Sequence, residues 1–144
     1  MSLEELLRSR IVRKERPNHM LAVNSIRCAC RDIDTAKMLF ANDKFDWALA
    51  VSYNAMLVAG RGLMFNQGYR PSSTEGHVAV VKFLHAILGT EASDRIVMMM
   101  NGMRKKRHRV VYEEMDIVSE DEAEQAVKWA EEFVKRTDEM IHKK

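Results

Sequence analysis

Ala48, Ser52, Ala55, Ala59 and Gly62 recur at alternating spacings of four and three inside one largely apolar stretch, DWALAVSYNAMLVAGRGLMF. On a helix these small residues line up as one seam, and a seam without bulky side chains lets a neighbouring backbone come close. Leu49, Tyr53, Met56 and Leu63 run beside it as a larger apolar seam. A helix apolar over so wide an arc must be enclosed by other helices. The segment 44–67 is therefore expected at the centre of a bundle.

The rest of the chain is consistent with that. Two prolines, six glycines and an abundance of Ala, Met, Leu, Glu and Lys point to an all-α protein. Ser2 with Glu5 reads as a capping box for a short opening helix. Pro17 and Asn18 mark a fresh start. Ala22, Ile26, Ala29, Ile33, Ala36 and Phe40 then give a long helix over 18–41. Asp43, with Asp46 three residues on, is placed to cap the central helix, and Gly68 to end it. GYRPSST reads as a loop, and Ser72 with Glu75 as the cap of a helix over 73–89 that buries Val80, Val81, Leu84, Ile87 and Leu88. A further helix is expected over 92–114. Ser119 with Glu122 opens the last one, which carries Ala123, Ala126, Ala130, Phe133 and Val134 on one face. The expected architecture is an up-and-down four-helix bundle with a short extra N-terminal helix. Residues 1–144 form one domain, with a short helix and basic segment over 1–16 and the bundle over 18–142.

No apolar run reaches the ~20 residues of a membrane span and no signal-peptide core opens the chain, so the expected address is cytoplasmic. Cys28 and Cys30 point ~200° apart on a helix and are read as reduced thiols. Walker, Rossmann and zinc patterns are missing, and neither a metal nor another cofactor is expected.

Net charge is only +2, yet the charges are segregated: basic from Arg8 to Arg16 and from Arg104 to Arg109, acidic from Glu113 to Glu124. The run RKKRHRVVY divides once it is placed on a helix. Arg107 falls among Ile96, Met100, Met103, Val110 and Val111, in the middle of the apolar face. Arg104, His108 and Tyr112, four residues apart in turn, line the edge of that face. Lys105, Lys106 and Arg109 are expected on the solvated side. A guanidinium on an apolar stripe needs a carboxylate, a phosphate or a carbonyl. One reading gives Arg107 an internal salt bridge, for example to Asp46. The other makes Arg104, Arg107, His108 and Tyr112 a recessed anion site.

Ser52-Tyr53, Ala55-Met56, the turn Gly68-Tyr69-Arg70-Pro71, His77 at the next helix start, and Arg107-His108 followed by Tyr112 together resemble the HEPN domain (higher eukaryotes and prokaryotes nucleotide-binding) over roughly residues 18–140. The resemblance implies a dimerising helical bundle with the motif arginine facing a cleft. Many members are metal-independent RNases in which an arginine holds the scissile phosphate and a histidine, beyond four to six intervening residues, moves the proton. Others pair with a small nucleotidyltransferase as toxin and antitoxin.

This chain departs at the decisive position. Four residues separate Arg107 from Tyr112, a tyrosine and not a histidine, and only three residues separate Arg104 from His108. A phenol, titrating near ~10, is a poor base at neutral pH but a competent phosphate ligand. The resemblance thus points to a nucleotide- or RNA-phosphate-binding homodimer without strong catalytic activity. The alternatives are a nucleotidyltransferase partner protein and an endoribonuclease using His108. His77 is read as more often structural, and His19, His85 and His142 gain no role from spacing. Eleven methionines suit an interface.

Overall fold

Among the described residues of the computed structural model, 1–72, 76–88 and 90–143, six helices and two short strands follow one another. They are α1 (Leu3–Arg8), β1 (Val12–Lys14), α2 (His19–Ala41), α3 (Phe45–Gln67), β2 (Tyr69–Pro71), α4 (Gly76–Ile87), α5 (Thr90–Tyr112) and α6 (Glu120–His142). The four long helices, α2, α3, α5 and α6, have 23 residues each and build the bundle. α4 is a shorter helix that packs with α5 against α3, and α1 packs on α4.

α3 is the centre, as its two seams require. It touches α2, α4, α5 and α6, and thirteen of its residues are buried. The small-residue seam faces α2 around Gly62: a Cβ there would lie 2.8 Å from Ser25 Cβ and 3.3 Å from the Ala22 carbonyl oxygen. By length and composition α3 would suffice to cross a bilayer, with a mean hydropathy of 1.3. However, 78% of that window is buried by its neighbours, so it is a core helix.

Most helix ends follow their caps. The Ser2 hydroxyl accepts from Glu5 N–H at 3.2 Å, and the Asn18 side chain accepts from Leu21 N–H at 3.0 Å. Ser119 and Glu122 exchange both bonds of a capping box. Gly68 closes α3 with φ 89°, and a Cβ on it would meet the Glu15 carbonyl oxygen at 2.9 Å. The expected Glu75 cap lies outside the described residues.

Asp43 is a correction. It takes a left-handed φ of 59° in the turn that closes α2, one residue too early to cap α3, and Lys44 at the cap position makes no side-chain bond. Asp46 reaches further instead. Its carboxylate accepts from the backbone N–H groups of Asp116 at 2.6 Å, Ile117 at 3.1 Å and Val118 at 3.0 Å. One side chain on the first turn of α3 therefore pins the α5–α6 connection, about 70 residues away in sequence.

The second correction is the sheet. The basic N-terminal segment and the GYRP turn, read as coil, pair antiparallel, with Val12 opposite Pro71, Arg13 opposite Arg70 and Lys14 opposite Tyr69. The pairing continues through Glu15 N–H to the Gly68 carbonyl and Ser72 N–H to the Ile11 carbonyl. Leu6 and Val12 are buried in the same core as the bundle helices. In α4, Ala79 and Phe83 join Val80, Val81 and Leu84 in that core, whereas Ile87 and Leu88 are only partly buried.

The α2–α3 seam yields a paired prediction. Gly62→Val forces side-chain volume into the seam and should destabilise by about 1–3 kcal/mol. Gly102→Ala, in an α5 position where a Cβ meets nothing within 4 Å, should stabilise by about 0.5–1 kcal/mol. Urea unfolding of both variants checks the contrast.

Candidate functional site

α5 divides its basic run much as the helical wheel requires. Met100 and Met103 are fully buried, Ile96 and Val110 are partly buried, and Arg107 sits half-buried among them. Arg104 is half-buried at the edge of the face, next to α4, where it shares a recess with Lys82 and His85. His108 and Tyr112 are exposed and stack at 4.9 Å between ring centroids. Lys105 lies in water, while Arg109 bonds to Glu114 at 3.3 Å.

Lys106 is not part of the solvated side. Its ammonium lies 3.2 Å from Glu122, and its side chain is only 23% exposed. The contact joins α5 to the start of α6. The Glu122 carboxyl is held below the usual carboxylate range, first by the backbone N–H of Ser119 and with help from Lys106.

The expected Arg107–Asp46 salt bridge does not form. Asp46 spends its oxygens on the 116–118 backbone, and among the described residues Arg107 has no carboxylate within 4 Å. Arg107 and Arg104 instead act on two groups of the neighbouring helices, Tyr53 of α3 and His77 of α4. The two rings pack at 5.8 Å between centroids. Tyr53 is fully buried, and its hydroxyl has no hydrogen-bond partner among the described residues. Burial pushes the phenol up to about 12, against the pull of Arg104 and Arg107. Tyr53 therefore stays protonated, a hydrogen-bond donor and not a base. Burial likewise pushes the His77 imidazole down, and Arg107, Arg61 and Arg104 push it further.

On the other side of His77 lies an open cleft of ≈ 420 Å³ lined by Arg13, Arg61, Phe65, Arg70, Pro71, Gly76 and His77. Every charged side chain among these described lining residues is basic. The four groups come from β1, α3, β2 and the first turn of α4.

Residues 22–140, from α2 to near the end of α6, match the HEPN domain family. The chain belongs to this family. A comparison with curated proteins gave no match. The matched segment spans the whole helical bundle of this HEPN domain and leaves out α1 and β1, so Arg13 is contributed from outside it.

The HEPN motif residues are thus brought together unevenly. The charges of Arg104 and Arg107 bear on the packed pair Tyr53 and His77, whereas His108 and Tyr112 pair with each other and are exposed. Tyr53 and Arg70 were noticed in the sequence for their motif positions and not as site residues. Arg61 and Arg13 were missed. Arg61 carried a usable signal, since it is the one basic residue of α3. Arg13 carried none, because only strand pairing brings it to the cleft. His19 meets Asn66 at 2.9 Å, His85 lies 3.4 Å from Asp94, and His142 lies 3.0 Å from Asp138.

A pH effect follows from His77. Its pKa in the fold is below the ~6.5 of an unfolded chain, so the unfolded state binds the proton more readily. The His77 contribution is complete above the unfolded pKa, declines as pH falls through it, and levels off below the folded pKa. A histidine NMR titration should give a midpoint under ~6.5, and Arg107→Gln should move that midpoint upward.

Proposed function

We propose that this HEPN domain is a cytoplasmic homodimer that binds nucleotide or RNA phosphate through Arg104, Arg107, His108 and Tyr112, without strong catalytic activity. The observation that carries this reading is the placement of Arg107, half-buried on the apolar face of α5 with no carboxylate within 4 Å among the described residues, its charge and that of Arg104 bearing on Tyr53 and His77. Two guanidiniums beside a protonated phenol and a largely neutral imidazole form an environment that favours an anion. Tyr53, held protonated, is not a ready general base, and the His77 ring packs on it. His108, the cleavage candidate of the motif helix, stacks on Tyr112 in solvent and stands one turn from Arg104. Support for binding without turnover also comes from Tyr112 standing beyond four intervening residues after Arg107, where HEPN RNases carry histidine.

Arg107→Gln should weaken binding of a labelled single-stranded RNA by about ten-fold or more, the loss of a charged hydrogen bond, with little change in melting temperature. Unchanged binding with a lowered melting temperature would assign Arg107 to the core alone. Metal-independent cleavage abolished by His108→Ala would favour the endoribonuclease reading.

A second reading, assembly with a protein partner such as a small nucleotidyltransferase, has its own observation. Between α5 and α6 runs a groove of ≈ 670 Å³ with Met98, Met99, Met103 and Trp129 in its walls and Leu49 at its floor. Met98 is 76% exposed there. A flexible apolar lining of this kind suits a protein surface. If the groove is the homodimer contact, Met98→Lys should convert dimer to monomer in light scattering coupled to gel filtration. A dimer unaffected by that change leaves the groove for the nucleotidyltransferase.

A further inference from the structure

The cleft on the far side of His77 places like charges together at a cost. Arg13 and Arg70 stand directly opposite each other across the antiparallel pair β1–β2, an arrangement that opposes strand pairing. Among the described residues compensation is partial. Arg13 Nε lies 3.4 Å from the Glu15 carboxylate with both side chains well exposed, and the Arg70 guanidinium lies 4.9 Å over the Phe65 ring. Arg61 adds a third guanidinium, 3.4 Å from where a Cβ on Gly76 would sit.

The cleft and the α5 arginines share one support. Tyr53, which feels the charge of Arg104 and Arg107, and Arg61, in the cleft, are eight residues apart on α3, about 12 Å of helix rise. His77 spans the interval, because its ring packs on Tyr53 and its edge lines the cleft. One phosphate group does not reach across such a distance. A strand carrying phosphates at regular intervals does.

The geometry points to a single-stranded polynucleotide laid over the first described turn of α4, with one phosphate held by Arg13, Arg61, Arg70 and His77 and another by Arg104 and Arg107. This rests on the phosphate-binding reading of Arg104 and Arg107 and extends it from a phosphate to a strand. Guanidiniums grip phosphate oxygens in pairs through their planar fork, and contacts of this kind position a backbone without reading its bases. The β1–β2 pair therefore acts as an N-terminal clamp added beside the HEPN bundle.

The test uses the full chain, fluorescence anisotropy, a labelled uridine dodecamer, its thymidine DNA counterpart, a duplex dodecamer and UMP. Wild-type protein should bind the single strands well above UMP, and binding should weaken steeply with salt. Arg61→Gln and Arg70→Gln, verified as folded by circular dichroism, should each weaken dodecamer binding by about ten-fold and lower the salt slope by about 0.7. They should also erase the preference for dodecamer over UMP, and Arg70→Lys should restore part of the affinity. RNA bound tighter than DNA makes RNA the source of the strand, and equal binding assigns the contact to the phosphates alone; both sustain the proposal.

Dodecamer binding and salt slope unchanged in the cleft variants would overturn it, even if Arg107→Gln still abolishes binding. A loss in the cleft variants with none in Arg107→Gln would instead remove the α5 half, and with it the bridging strand. Tighter binding to the duplex, or no binding of any probe at low salt, would also sink it.

Discussion

Everything in this molecule depends on how closely α2 and α3 approach at Gly62. With 2.8 Å between Ser25 Cβ and the position of a Gly62 Cβ, the two backbones come close there, and Ala48, Ser52, Ala55 and Ala59 of the same seam are fully buried. Close packing leaves room for α4, α5 and α6 around the remaining faces of α3. A helix so enclosed carries its few polar groups into unusual surroundings. Tyr53 is sealed from water, and Arg61 emerges only at the cleft.

The electrostatics of the candidate site follow from that enclosure. A guanidinium keeps its charge under any ordinary burial, so the groups near it adjust. Tyr53 holds its proton more firmly because it is buried, and His77 gives its proton up more readily because it is half-buried beside three arginines. The result is a locus of fixed positive charge whose neighbours are neutral at physiological pH.

The local signals in the sequence carried a large part of the fold. The Ser2, Asn18 and Ser119 caps and the Gly68 stop are short-range hydrogen bonding and backbone geometry, so they are visible in three or four residues. The seams of α3 and the position of Arg107 follow from helical period alone. What was not legible involves partners far apart in sequence. Asp46 looks like a second cap residue but holds the 116–118 backbone. Lys106 looks solvated but meets Glu122 because α6 starts beside it. The strand Val12–Lys14 has too few residues to show a period of two, and it exists only because Tyr69–Pro71 lies alongside.

The sequence by itself determined that this chain is a helical bundle of the HEPN kind, that its central helix is 44–67, and that Arg107 faces inward. Each of these rests on the spacing of residues within one helix. Only the tertiary structure decided which groups surround Arg107, because the competition for Asp46 is settled by the α5–α6 connection and not by any pattern in α5. It also decided that Arg13, Arg61, Arg70 and His77 meet. Four elements separated by up to 64 residues converge there, and charge repulsion between them is overcome by packing that no local pattern encodes.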